Sequence, residues 1–92
     1  MDEFEEKIVA LASARGAGRT VDPTEVARAL SGPKPEEWSR LMQPVRRAAV
    51  KLMKQGRIVI LRKGRPVDPD DFRGVYRIAL PGDQGPGSTS SE

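Results

Sequence analysis

The sequence predicts a small α+β domain in which three helices are closed by a two- or three-stranded antiparallel sheet. Three observations carry this. Helical periodicity with clear start signals fills residues 3–55. Two runs rich in β-branched residues follow, Arg57-Ile58-Val59-Ile60-Leu61-Arg62 and Val75-Tyr76-Arg77-Ile78-Ala79-Leu80. The chain has 92 residues, and a domain this short buries only about 60% of its unfolded surface, enough for one modest core. Helices first and a strand pair last is the order of a winged helix, a relative of the helix-turn-helix.

Each element has its own local warrant. Asp2 can cap a first helix over Glu3–Arg15, with Glu5 at capping-box spacing and acids in the first turn. Phe4, Ile8, Leu11 and Ala12 then share a buried stripe, and Gly16 and Gly18 end the helix. Thr20-Val21 is long enough only for an edge rung. Asp22-Pro23-Thr24-Glu25 is a complete helix start, with cap, proline in the first turn and capping-box glutamate. Val26, Ala27 and Leu30 are the buried side of that second helix, which Gly32-Pro33 terminates.

The third helix is expected from Pro35 to Gln55, with a kink or brief break around Met42–Pro44 because Pro44 lies inside it. The segment from Lys63 to Gly74 reads as a loop, too long for a tight hairpin turn and too rich in proline for a strand interior. Residues 1–80 thus form the domain. Residues 81–92, rich in Gly, Ser and Pro, have nothing to bury and read as a disordered tail.

Composition narrows the function. The chain has no Cys and no His, which removes thiolate chemistry, disulfides, the usual zinc ligands and the commonest general base. No nucleophile stands at a suggestive spacing from a base, so the expectation is a non-catalytic protein without cofactor or metal. No apolar run could span a bilayer, and the acidic Met1–Glu6 segment lacks a signal-peptide layout, so the expected location is the cytoplasm.

Net charge is +3, but its distribution says more. Residues 35–65 hold Arg40, Arg46, Arg47, Lys51, Lys54, Arg57, Arg62, Lys63 and Arg65 against only Glu36 and Glu37. The positive field is concentrated in one third of the chain, where a polyanion would feel it.

The chain resembles a small bacterial winged-helix family known only as a domain of unknown function. The resemblance is carried by Gly18-Arg19-Thr20-Val21 leading into Pro23-Thr24-Glu25-Val26-Ala27-Arg28-Ala29-Leu30, then by Trp38, Leu41-Met42, Val45-Arg46, and Leu52 with Gly56-Arg57-Ile58. The Gly64…Val67-Asp68-Pro69 loop and Gly74…Tyr76-Arg77 complete it over residues 4–80. It implies a fold and no activity.

On a wheel at 100° per residue the third helix separates into two faces. Trp38, Leu41, Val45, Ala49 and Leu52 turn inward, while Arg40, Gln43, Arg47, Lys51 and Lys54 lie within about 80° of one another on the other side. Their reach along the axis is about 21 Å at the helical rise. A duplex major groove admits such a helix, Arg and Gln suit guanine and adenine edges, and Lys suits phosphate. Arg46 sits at the boundary, where its stem can pack on the core. Arg62, Lys63 and Arg65 on the wing can clamp phosphates, although Asp68, Asp70 and Asp71 just beyond would repel them. The expected partner is therefore nucleic acid, double-stranded DNA foremost. The alternatives are a plain solvated face or docking of an acidic protein. No exposed apolar helix offers a dimer interface, and the oligomeric state stays open.

Three further features read as structural. Gly16-Ala17-Gly18-Arg19-Thr20 lacks the lysine and spacing of a phosphate loop. Asp68-Pro69-Asp70-Asp71 lacks the glycine and glutamate of a calcium loop. Trp38 and Tyr76 lie on apolar faces, as core residues and not as base-stacking platforms.

Overall fold

In the computed structural model, which describes residues 2–16 and 18–81, the chain begins with a capped helix. The Asp2 carboxylate accepts the Glu5 amide at 2.9 Å and starts α1 (Glu3–Arg15). The expected capping box is only half made there, because the Glu5 side chain turns inward instead and is 3% exposed. At α2 (Pro23–Ser31) both halves form: Asp22 accepts from the Thr24 amide at 2.9 Å, and Glu25 accepts from the Asp22 amide at 3.3 Å. Arg15, in the last turn of α1, bridges to the same Glu25 and donates to the Thr20 carbonyl. That guanidinium holds the Glu25 carboxyl below its usual range.

The third helical region corrects the expected kink. It consists of α3 (Pro35–Trp38), a 3₁₀ turn over Ser39–Leu41, and α4 (Met42–Lys54). The break falls one turn before Pro44 because a proline ring clashes with the carbonyl four residues upstream, here that of Arg40. Pro44 itself sits in the first turn of α4, where its missing N–H would have found no partner.

The strand region is more ordered than the sequence suggests. Four antiparallel strands, β1 (Thr20–Val21), β2 (Val59–Arg62), β3 (Arg65–Pro66) and β4 (Arg77–Ala79), lie in the order β1-β4-β2-β3. The expected edge rung is β1, pairing Thr20 with Ala79 and Val21 with Ile78. The expected loop opens instead with a two-residue hairpin: Arg62 faces Arg65 across Lys63 and Gly64, whose φ angles of 53° and 79° are those of a primed turn. Pro66 is tolerated because β3 is an edge strand.

Both long strands are shorter than expected. Arg57 is held by the helix end, its amide donating to the Leu52 carbonyl at 2.9 Å, and the Val75 carbonyl accepts from Arg62 instead of a neighbouring strand. The tail expected at 81–92 lies, from residue 82 onward, outside the described residues.

One core joins these parts. Ile8 and Ala12 of α1, Val26 and Ala27 of α2, and Val45, Ala48, Ala49 and Leu52 of α4 pack with Ile58, Ile60 and Ile78. Phe4, Leu11 and Trp38 are half-buried against it. Among the described residues no helix is long and apolar enough to cross a membrane.

Candidate nucleic-acid interface

Burial of Val45, Ala48, Ala49 and Leu52 fixes the rotation of α4 and turns the opposite face outward. Gln43, Arg47, Lys51 and Lys54 are exposed there, as is Arg40 from the adjoining 3₁₀ turn. Four residues of the expected stripe, Gln43, Arg47, Lys51 and Lys54, line one side of α4, and Arg40 is exposed just before it. A shallow groove of about 620 Å³ runs along it, with the half-buried Val50 among the cations. The wheel places Val50 beside the polar stripe, so the apolar element of this face was readable but was not read.

What surrounds each cation differs along the helix. No side-chain hydrogen bond or ion pair joins Arg40, Gln43 or Arg47 to other described residues. Lys51 lies 3.3 Å from the buried Glu5 carboxylate of α1. Lys54 lies 2.6 Å from Asp70. The loop acids thus divide: Asp70 neutralises a helix lysine, and Asp68 accepts the Asp70 amide at 2.9 Å to close its own turn. A second groove, of about 420 Å³, borders the stripe where Asp2, Phe4 and Glu5 of α1 meet Arg47 and Lys51.

Two of the expected nucleic-acid residues hold the loop. Arg46 donates to the Phe72 carbonyl at 2.6 Å, and its guanidinium lies 3.9 Å from the centre of the Phe72 ring, a cation–π contact. Phe72 meets Tyr76 edge-on, with ring centroids 5.3 Å apart. The Tyr76 hydroxyl is buried without a hydrogen-bond partner among the described residues, and burial pushes its pKa up to about 12. Arg62 donates from Nε to the Val75 carbonyl at 3.1 Å, and its guanidinium packs on Gly74. Lys63 and Arg65 are exposed at the hairpin tip.

No group of His, Cys, Asp and Glu among the described residues is arranged to hold a metal ion. Over residues 1–81 the sequence matches the family described as "Protein of unknown function (DUF3253)". No curated protein matches the chain.

Proposed function

The chain belongs to the DUF3253 family, whose description leaves the activity open, and from the geometry of α4 we propose that it is a cytoplasmic winged-helix module that binds nucleic acid, double-stranded DNA foremost. The observation that carries this reading is the outward trio Arg40, Gln43 and Arg47, all exposed and with no carboxylate or carbonyl among the described residues claiming them. Side chains at the start of a recognition helix are the ones that reach base edges, and Arg and Gln offer the hydrogen-bond patterns for guanine and adenine. In this reading α2 braces α4, and Lys63 and Arg65 meet phosphates beside the groove. A duplex suits the surface better than a single strand. Phe4 and Trp38 are half-buried and Phe72 and Tyr76 buried, so no fully exposed aromatic among the described residues offers a platform for stacked bases.

Fluorescence-anisotropy titration with generic duplex DNA tests the proposal. Binding at low salt should weaken steeply as salt rises, by about 0.9 in the logarithmic slope for each phosphate neutralised, hence about 3 to 4 for Arg40, Arg47, Lys63 and Arg65 together. The double reversal Arg40→Glu with Arg47→Glu should weaken binding about 100-fold or more while thermal unfolding stays as in the wild type. Lys51 is unsuited to such a reversal, since a glutamate there would face the buried Glu5. Absence of a complex at the lowest salt would end the proposal.

Val50 within the groove favours a second reading, the docking of an acidic protein segment with an apolar side chain. The two readings separate by titration with duplex alone, because a module that only docks protein gives no salt-dependent complex with DNA.

A further inference from the structure

Lys54 and Asp70 form the most open of the contacts along α4, with side chains 50% and 68% exposed. So exposed a pair contributes little to folding. Its geometry is nevertheless enforced by the loop around it. Arg46 holds Phe72 by its carbonyl and its ring, two residues beyond Asp70. The Asp70 amide donates to Asp68 Oδ1 at 2.9 Å, and the Asp71 amide to the Asp68 carbonyl at 3.0 Å. The Asp70 carboxylate is thus tethered beside Lys54 at a high effective concentration.

We propose that Asp70 is a built-in competitor for the nucleic-acid phosphate that Lys54 would otherwise bind, so that the loop masks the C-terminal end of the binding face. This rests on the nucleic-acid reading of α4. A phosphate arriving at Lys54 must displace the carboxylate or sit beside it, and either weakens the contact. Because Asp70 already neutralises the ammonium, Lys54 adds nothing to the salt dependence of the wild type. Lys51 is different. Its partner Glu5 is buried, so that pair is a fixed part of the α1–α4 contact and is not exchangeable.

The test compares wild type, Asp70→Asn, Asp71→Asn, Lys54→Gln and the double variant Lys54→Gln/Asp70→Asn, each titrated against one generic duplex over a salt series. Asp71 is the control because it is exposed, adjacent and in no ion pair with another described residue. Asp70→Asn should bind about threefold more tightly, the scale of one exposed ion pair. Its salt dependence should steepen by about 0.9, one further phosphate. Asp71→Asn should leave the slope unchanged, Lys54→Gln should bind like the wild type, and adding Lys54→Gln should cancel the gain from Asp70→Asn. Equal gains from the two aspartate changes, or a gain that survives loss of Lys54, would overturn it while leaving the nucleic-acid reading intact. Failure of every variant to bind duplex would instead remove that reading, and this proposal with it.

Discussion

The two ends of the outer face of α4 carry similar side chains and have different employment. On the outer face Arg40, Gln43 and Arg47 meet solvent, whereas Lys51 and Lys54 toward the C-terminal end meet Glu5 and Asp70, and Arg46, at the edge of that face, meets Phe72. The difference does not lie in the helix. It lies in which neighbouring carboxylate comes within reach: Glu5 of α1 at Lys51 and Asp70 of the loop after β3 at Lys54. A cation on an amphipathic helix is available to a ligand only where no neighbouring element has already supplied its counter-charge. The contrast divides one basic stripe into a free end and a structural end.

The sharpest way to break that division is to delete Arg46. Its hydrogen bond from a charged group to a carbonyl and its contact with the Phe72 ring together are worth about 2–3 kcal/mol. Arg46→Ala should therefore lower stability by about that amount in chemical denaturation, and Arg40→Ala should stay within about 0.5 kcal/mol of the wild type. Equal small effects at the two positions would show that Arg46 is another free cation.

Lys51 gives the next effect. Lys51→Met leaves the Glu5 carboxylate buried without its only ion-pair partner among the described residues, a situation that costs about 1–3 kcal/mol. Adding Glu5→Gln should restore part of the loss, since a neutral amide is cheaper to bury than a carboxylate. Gln43→Ala, at the free end, should change stability little. If Glu5→Gln worsens Lys51→Met, the pair is not what holds that carboxylate in place.

These assignments also show where sequence reasoning stops. The starts of α1 and α2, the rung at Thr20-Val21 and the inward rotation of Val45, Ala49 and Leu52 were legible because caps and periodicity are local. The break before α4 was misplaced because proline acts on the carbonyl one turn upstream. The hairpin at Lys63-Gly64 was missed because a lysine with φ of 53° lacks the usual Asn-Gly or Asp-Gly signal. Most of all, the duties of Arg46, Lys51 and Lys54 were invisible on a helical wheel. Arg46 reaches Phe72 across 26 residues of sequence, a proximity that only the folded chain creates. The loop acids flagged the conflict, but not which lysine one of them would claim.

The smallest effect should come from Tyr76, under the same structural end. Its hydroxyl is buried with no partner among the described residues, so Tyr76→Phe should leave stability unchanged or raise it by about 1 kcal/mol at neutral pH. Desolvation raises the folded-state pKa to about 12 against an ordinary 10.0, with the nearby Arg46 pulling the other way. Between those values the unfolded chain gives up the phenolic proton and the folded chain keeps it. Stability that is fully present below pH 10 is therefore lost as pH rises toward 12. The informative quantity is the difference between wild type and Tyr76→Phe. That difference should widen in favour of the phenylalanine variant as pH climbs. A tyrosine absorbance titration near the ordinary value would mean that the hydroxyl reaches water, and that Arg46 and Phe72 do not close the loop over it.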